Sequence, residues 1–123
     1  MKAFNTDKAP AAVDPYVQAI GTENLVFTSG QLSINPETGE LVKEIKAAAK
    51  QSLENVKAIL EEAGTSMDKV IKCTVFLADI NDFAAVNEVY KEYFTDHKPA
   101  RSCVQVAALP KAAPIEIEMI ALA

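Results

Sequence analysis

Arg101 is the only arginine of the chain, and the other permanently basic side chains are lysines. It lies in the apolar stretch Ala100–Val104, where strand alternation would place Arg101 and Cys103 on one face. A guanidinium in such surroundings requires a partner, because an unpaired buried charge is costly. Two interpretations are open: a structural ion pair with a nearby carboxylate, or a bidentate clamp for a substrate carboxylate, which lysine would serve less well.

Two carboxylates near the end of the sequence form a second candidate group. Glu116 and Glu118 alternate with apolar residues in the stretch 115–119, so a strand there would carry both on one face. One interpretation is an ordinary solvated strand face. The other is a carboxylate at a subunit interface that orients or deprotonates a water molecule.

Cys103 is close to a cation, which would lower the pKa of its thiol. A nucleophilic cysteine also needs a base, and the single histidine, His97, lies near the end of a predicted helix with no motif that links the two. We therefore do not expect a catalytic thiolate. Tyr16 and the pair Ser29-Gly30 are ambiguous between a binding role and ordinary packing or a strand kink.

The residue types give little support to metal or disulfide chemistry. Cys73 and Cys103 belong to no CxxC or Cys/His cluster, and two lone thiols do not make a disulfide framework. One histidine excludes a histidine-rich metal site. We therefore expect no zinc site, and no spacing of carboxylates suggests another metal site, although the residue types leave a carboxylate-only site open.

Hydrophobic periodicity predicts the elements that must position these groups. In chain order it predicts a strand at 24–31, a hairpin turn at 35–39, a helix from about 43 that ends at Gly64, a strand at 70–77, a helix from 82 to about 94, and strands at 100–107 and 115–122. Such an order is typical of an α+β or mixed α/β sheet with both helices packed on one face.

The same periodicity predicts which residues are buried. The first helix has the apolar stripe Ile45, Ala49, Leu53, Val56, Leu60 and Ala63, and the spacing of Lys50/Glu54 and Lys57/Glu61 suits helical ion pairs. In the second helix we expect a buried stripe of Phe83, Val86, Tyr90 and Tyr93 or Phe94, capped by Asn81 or Asp82. In the strand 70–77, alternation places Ile71, Cys73, Val75 and Leu77 on one face and Val70 and Phe76 on the other.

Apolar residues on both strand faces have a consequence for assembly. Two helices cover only one face, and soluble proteins rarely leave a large apolar face wet. We therefore expect the second face to meet partner subunits in a closed homo-oligomer.

Length and charge restrict the class of protein. The 123 residues form a single domain, 1–123, and the formal net charge of -5 disfavours nucleic acid as a partner. No apolar run is long enough to span a bilayer, and the start MKAFNTDKAP lacks the apolar stretch of a signal peptide. The expected location is the cytoplasm.

Several stretches, in order and nearly along the whole chain, together resemble the RidA family, also called the YjgF family. They are 9–12 (APAA), 15–18 (PYVQ), 28–31 (TSGQ), 51–57 (QSLENVK), 74–77 (TVFL), 81–83 (NDF), 100–104 (ARSCV) and 115–118 (IEIE). The resemblance implies a chorismate-mutase-like fold, a homotrimer and a site in each cleft between subunits. It also implies a 2-iminobutanoate/2-iminopropanoate deaminase, which hydrolyses 2-aminoacrylate and related 2-imino acids to 2-oxo acids and ammonia.

Residue roles follow from the resemblance position by position. It implies that Arg101 and Glu116 are catalytic, the first gripping the substrate carboxylate and the second holding the attacking water. The implied substrate-binding residues are Tyr16, Ser29, Gly30, Asn87, Arg101 and Cys103, with Gly30 letting backbone approach the ligand. The implied reaction needs no metal or cofactor, because imines hydrolyse in water unaided and a few kcal/mol of barrier reduction is enough.

The chain departs from the family pattern at three places. Asp14 replaces a glycine before Pro-Tyr, Ala108 replaces an arginine before Leu-Pro-Lys, and the segment 97–99 is a few residues shorter than usual. Two other functions stay open: a non-catalytic trimer that binds 2-oxo acids as a sensor, and an RNA-cleaving inhibitor of translation. The acidic charge, the single arginine and the single histidine count against the second.

Overall fold

A computed structural model describes residues 1–123 as two α-helices packed against one mixed sheet. The strands are β1 (Lys2–Phe4), β2 (Ala19–Gly21), β3 (Leu25–Thr28), β4 (Gln31–Leu32), β5 (Val70–Leu77), β6 (Ala100–Gln105) and β7 (Ile115–Leu122). The helices are α1 (Ile45–Glu62) and α2 (Phe83–Tyr93), with 3₁₀ turns at Met67–Lys69, Ile80–Asp82 and Pro110–Ala112. This confirms the predicted α+β class, and it adds the short strands β1 and β2, which the hydrophobic pattern did not predict.

The sheet is organised around β7. Its strand order is β1-β2-β3-β7-β5-β6, and β4 also pairs with β7. All pairs are antiparallel except the parallel pair of β5 and β6, whose crossover contains α2. This arrangement puts the Arg101 strand at one edge of the sheet and the Glu116 strand at its centre.

The predicted strand at 24–31 is broken at Ser29-Gly30. Phe27 of β3 pairs with Ile120, whereas Gln31 of β4 pairs with Ile117, so the register along β7 slips by one residue at the break. The Thr28 hydroxyl accepts a hydrogen bond from the Met119 amide (3.0 Å) in the gap. The break therefore changes the direction of the chain beside Glu116, while the Met119 amide of β7 keeps a hydrogen-bond partner.

In β5 the predicted faces are wrong at the first two residues. The pairing with β7 shifts between Val70 and Lys72, and this irregularity leaves Val70 buried while Ile71 is exposed. From Cys73 onward the alternation holds, with Cys73, Val75 and Leu77 buried beneath the helices. A bulge inserts an extra residue and so reverses the face of everything before it.

The helices bury most of the stripes that their periodicity predicts. In α1 the side chains of Ala49, Leu53, Val56 and Leu60 are buried. In α2 the buried residues are Val86 and Val89, with Phe94 just beyond the helix end, and Phe83 remains 38% exposed. The expectation that Phe83 is core is therefore wrong, because the first turn of α2 faces the sheet edge rather than its centre.

The predicted caps and ion pairs also need correction. Asp82 is the N-cap residue of α2, as predicted, but its side chain makes no capping hydrogen bond. The Asp79 carboxylate caps the 3₁₀ turn that leads into α2, by accepting from the Asn81 amide. The one ion pair joins Lys46 of α1 to Glu88 of α2 (2.6 Å), so the pairs expected within α1 are absent. Glu54 instead accepts a hydrogen bond from the Tyr93 hydroxyl.

The face of the sheet opposite the helices is open. Large apolar side chains there include Phe27, Val104 and Leu122, each at least two-fifths exposed. Neither α-helix has the length and apolar character that crossing a bilayer requires. Within one copy of the chain nothing covers the open face.

Candidate functional site

Arg101 projects from the edge strand β6 towards α2 and meets three of its side chains. Its Nη1 donates a hydrogen bond to Asn87 Oδ1 (2.7 Å). Its Cζ lies 4.6 Å from the centre of the Tyr90 ring and 5.4 Å from that of Phe83. No carboxylate pairs with it, since the one ion pair lies elsewhere. Of the two sequence interpretations, the structural ion pair is therefore wrong for the single copy.

The surroundings of Arg101 form a shallow cationic cavity. It measures about 420 Å³ and is lined by Asn87, Tyr90, Phe94 and three cations, Lys91, Lys98 and Arg101. No carboxylate lines it, although the chain as a whole has an excess of acidic residues. Such a cavity suits an anionic ligand. The segment 97–99 borders this cavity through Lys98 and Pro99.

Glu116 lies on the open face of β7, cradled by Gly30. A Cβ added at residue 30 would lie 2.7 Å from Glu116 Cδ and 2.9 Å from its Cγ. Burial, with a smaller contribution from the neighbouring Glu118, raises the pKa of Glu116. A raised carboxyl pKa makes Glu116 a better proton acceptor than an exposed glutamate.

A second cavity, of about 460 Å³, surrounds Glu116. Four predicted site residues line it: Tyr16, Ser29, Gly30 and Glu116. Ser29 is held in place, since its hydroxyl donates to the Val17 carbonyl (2.6 Å) and its amide to the Gln18 carbonyl (2.8 Å). Tyr16 is half exposed and free to meet a ligand.

One amide side chain, Gln18, ties down the chain segment that forms a wall of this cavity. Its Nε2 donates to the Thr6 and Pro10 carbonyls (3.0 and 2.7 Å), and its Oε1 accepts from the Thr6 amide (2.6 Å). Gln18 is buried, so these bonds are shielded from water. The wall residue Pro10 is thus positioned by a residue that sequence reasoning did not single out.

The two cavities lie on opposite faces of the sheet. Arg101 and Cys103 are in register with the buried residues Cys73 and Val75 of β5, on the helix side. Glu116 is in register with Phe76, whose other neighbour is the exposed Val104, on the open side. Within one copy of the chain Arg101 and Glu116 therefore cannot contact the same small molecule.

Cys103 lines neither cavity, although it packs beside the core on the Arg101 side of β6. Burial raises the pKa of its thiol, against a smaller opposing effect of Arg101. Burial raises the pKa of Cys73 to about 12. Both thiols are protonated at neutral pH, which agrees with the expectation that Cys103 is not a thiolate nucleophile.

The loop after β6 carries backbone strain that the sequence did not reveal. Lys111 and Ala112 have φ of 60° and 55°, in the left-handed region that favours glycine. Lys111 lines the Glu116 cavity. Asp14, by contrast, has no positive φ, so an aspartate there carries no such strain.

Sequence reasoning missed the ring contacts of Arg101 because it assigned Phe83 and Tyr90 to the core. Their spacing with Asn87 (residues 83, 87 and 90) is the signal that could have found them, since it places all three on one helix face.

Comparisons with known proteins agree over almost the whole chain. The model of a family described as Endoribonuclease L-PSP matches residues 6–123. A protein of Escherichia coli strain K12 named 2-iminobutanoate/2-iminopropanoate deaminase is 52% identical over 124 residues, which are 98% of this chain and 97% of that protein. A RutC family protein of Pasteurella multocida is 54% identical over 125 residues, again 98% and 97% of the two chains.

Solved structures agree as well. The crystal structure of Escherichia coli TdcF with bound serine superposes with a TM-score of 0.96 at 51% identity, covering 100% of this chain and 99% of that one. Likeness of this extent, in sequence and in fold, confirms the resemblance found from the motifs. This chain belongs to the RidA (YjgF) family, whose model is described as Endoribonuclease L-PSP.

Proposed function

We propose that this protein is a 2-iminobutanoate/2-iminopropanoate deaminase, which hydrolyses 2-imino acids and their enamine tautomers to 2-oxo acids and ammonia. The observation that carries the proposal is Arg101, a guanidinium facing a cavity with no carboxylate partner. It belongs to a chain 52% identical, over almost its full length, to a relative of that name.

The reaction requires one water molecule and no redox step. An enamine such as 2-aminoacrylate first takes a proton at C3 and becomes the 2-imino acid. Water then adds to the C=N carbon and forms a carbinolamine, from which the C–N bond breaks. The products are one ammonia and one 2-oxo acid, with the oxygen of the new carbonyl coming from water.

Arg101 supplies orientation. A guanidinium can form two parallel hydrogen bonds with a carboxylate, which fixes the substrate in the plane of the fork. Asn87 accepts a hydrogen bond from only one N–H group of Arg101, so other N–H groups of the guanidinium remain for a ligand. Holding the imine in one orientation removes much of the entropy barrier to attack by water.

Glu116 supplies the proton acceptor. Its carboxylate points into a cavity that is large enough for a small 2-imino acid and a water molecule. Burial and the neighbouring Glu118 raise the pKa of this carboxyl, which makes its carboxylate a better proton acceptor. It would take a proton from the attacking water and return one to the leaving nitrogen.

The complete site lies between copies of the chain in this proposal, and the assembly is a homotrimer. Two observations support it: Arg101 and Glu116 lie on opposite faces of one sheet, and the Glu116 face carries exposed apolar side chains such as Phe27 and Val104. A neighbour packed on that face would cover the apolar surface and bring its own Arg101 towards Glu116.

Mixing inactive variants tests the shared site. Arg101→Ala and Glu116→Gln are each expected to be inactive. When they are co-expressed, about a quarter of the sites in randomly mixed trimers would combine an intact Arg101 with an intact Glu116. Recovery of activity near that fraction supports the proposal. Mixed trimers without activity, or a stable monomer by light scattering at micromolar concentration, would contradict it.

Turnover tests the activity itself. A pyridoxal-dependent dehydratase supplied with serine or threonine generates the imine in the cuvette, and release of ammonia and of the 2-oxo acid is followed with and without the protein. Faster release with the protein supports the deaminase. Binding of 2-oxobutanoate without any acceleration would support the alternative, a sensor of 2-oxo acids.

Ribonuclease activity is a second candidate, since the resemblance left an RNA-cleaving inhibitor of translation open and the family model is described as Endoribonuclease L-PSP. The net charge of -5 opposes phosphate backbones, and the single histidine is engaged through Nε2 with the Val70 carbonyl (2.6 Å). We therefore propose no nucleic-acid partner and a cytoplasmic location, to which two free thiols are suited. The absence of a nucleic-acid partner would be contradicted if the parent protein cleaved RNA and the Glu116→Gln variant did not.

A further inference from the structure

We propose that Phe83, Asn87 and Tyr90 are positioning residues that hold Arg101 through neutral contacts within its own subunit, so that no carboxylate of that subunit competes with the carboxylate of the substrate. This inference rests on the proposed function, because the anion is taken to be a 2-imino acid. It assigns to Asn87 a role different from the substrate contact that the family resemblance implies.

The three side chains form one surface of α2. Residues 83, 87 and 90 are spaced by four and three, so they lie above one another on the same helix face. The Asn87 amide oxygen accepts from Nη1 at 2.7 Å, and the Tyr90 ring lies 4.6 Å and the Phe83 ring 5.4 Å from Cζ. Tyr90 itself packs on the buried Phe94, with ring centres 4.8 Å apart, so the surface is backed by the core.

The chemistry of this surface is neutral throughout. An aromatic face attracts a guanidinium through its quadrupole but does not neutralise it, and an amide oxygen accepts one hydrogen bond without bringing a charge. A carboxylate at residue 87 would form an ion pair that every incoming anion must displace. Neutral partners restrict the many rotamers of arginine and leave its charge for the ligand.

The Tyr90 hydroxyl is not the functional part of that side chain. It is buried beside the Cys73 thiol, and Arg101 donates its side-chain hydrogen bond to Asn87 rather than to this hydroxyl. Burial raises the pKa of Tyr90, so the hydroxyl keeps its proton and takes no part in acid–base chemistry at neutral pH. The ring is the part of Tyr90 that contacts Arg101. We therefore predict that phenylalanine can replace tyrosine at this position.

The test uses 2-oxobutanoate as the probe and measures its Kd by calorimetry on the intact assembly. Asn87→Asp is nearly isosteric and keeps an acceptor for Nη1, but it adds a charge. We expect it to weaken binding at least about tenfold and more than Asn87→Ala does, while its melting temperature is unchanged or higher. If Asn87→Asp binds as tightly as the parent or more tightly than Asn87→Ala, the proposal is wrong.

The rings are tested with a matched pair of tyrosines on α2. Tyr90→Leu is expected to weaken binding of 2-oxobutanoate about three- to tenfold, and Tyr90→Phe to restore most of that loss. Tyr93→Leu removes a tyrosine of the same helix that bonds to Glu54 instead of touching Arg101, and it should leave Kd unchanged. Phe83→Leu, at a partly exposed position, gives an independent folded variant with a smaller loss. Equal losses in the Tyr90 and Tyr93 variants would show a general destabilisation and overturn the proposal.

A second probe separates this inference from the proposed activity. The uncharged 2-oxobutanamide lacks the carboxylate, so its binding should respond little to Asn87→Asp. If the amide and the acid lose affinity equally, the substitution acts on packing and the inference fails. A further outcome is that the parent and its variants together give the expected order of Kd values while the parent does not accelerate imine hydrolysis. In that case the deaminase proposal is wrong and the positioning of Arg101 stands. If the parent does not bind 2-oxobutanoate saturably, the positioning proposal is overturned whatever the turnover assay gives.

Discussion

Gly30 and the carboxyl group of Glu116 are so close that no side chain fits between them. A Cβ at residue 30 would lie 2.7 Å from Glu116 Cδ, well inside contact distance. The glycine is not required for its backbone angles, since its φ is not among the positive values. Its role in the structure is to make room for Glu116.

We therefore predict that Gly30→Ala lowers kcat/KM at least about tenfold by displacing the Glu116 carboxylate. The backbone is unstrained, so the variant should fold and assemble. Steady-state kinetics and a melting curve on the same sample check this. Full activity in the variant would show that the carboxylate has no defined position during the reaction.

The pH dependence of the rate should report Glu116. As a base it acts only when deprotonated, so kcat/KM falls as the pH falls through its pKa. Burial and Glu118 raise that pKa, and the fall should begin at a higher pH than for an ordinary glutamate. Glu116→Gln should remove this limb and lower the rate about 10²–10⁴-fold, and Glu118→Gln should keep the limb but move it to lower pH.

The effect of the same carboxyl on stability has the opposite direction. A folded-state pKa above the unfolded value means that the fold favours the protonated form, so stability is lost as the pH rises through the folded pKa. Glu116→Gln should therefore be equal to the parent or slightly more stable at neutral pH. A clear loss of stability in that variant would contradict this account of the raised pKa.

Arg101→Lys keeps the charge and loses the planar fork. We expect kcat/KM to fall by roughly thirty- to a thousandfold, equivalent to about 2–4 kcal/mol of transition-state binding, because a charge-assisted pair is lost. Oligomeric state and melting temperature should hardly change, since lysine keeps the positive charge and Arg101 has no ion pair within its own subunit. Near-normal turnover by a folded assembly would remove Arg101 from the site.

Cys103→Ser should retain most of the deaminase activity. Burial raises the pKa of the thiol, which disfavours the thiolate, and the side chain lines neither cavity. Kinetics with freshly generated imine check the point. An inactive variant that remains folded would assign a chemical role to the thiol.

Gln18→Leu should destabilise the fold by about 2–4 kcal/mol, because the Thr6 amide and the Pro10 carbonyl lose buried partners. Gln105→Ala is the matched control, since its amide makes an exposed bond to the Ile80 backbone and should cost little. Urea unfolding of both variants measures the difference. A similar small loss in both would mean that the Gln18 bonds contribute little beyond their exchange with water.

The sequence by itself determined the elements with strong periodicity and the faces of single strands. The stripe of α1 and the alternation of β6 and β7 depend only on residues close in the chain, so Arg101 with Cys103, and Glu116 with Glu118, were placed correctly. The motifs, read in order, also identified the family.

Tertiary structure decided the rest. β1 and β2, of three residues each, exist through their pairing and carry too few residues for a pattern. The bulge at Val70 and the break at Ser29-Gly30 are set by pairing with β7, which is far away in the sequence. Alternation tells which residues of one strand share a face, but not which face the helices cover. That choice, made by packing between distant segments, put Arg101 against α2 and Glu116 on the opposite side of the sheet.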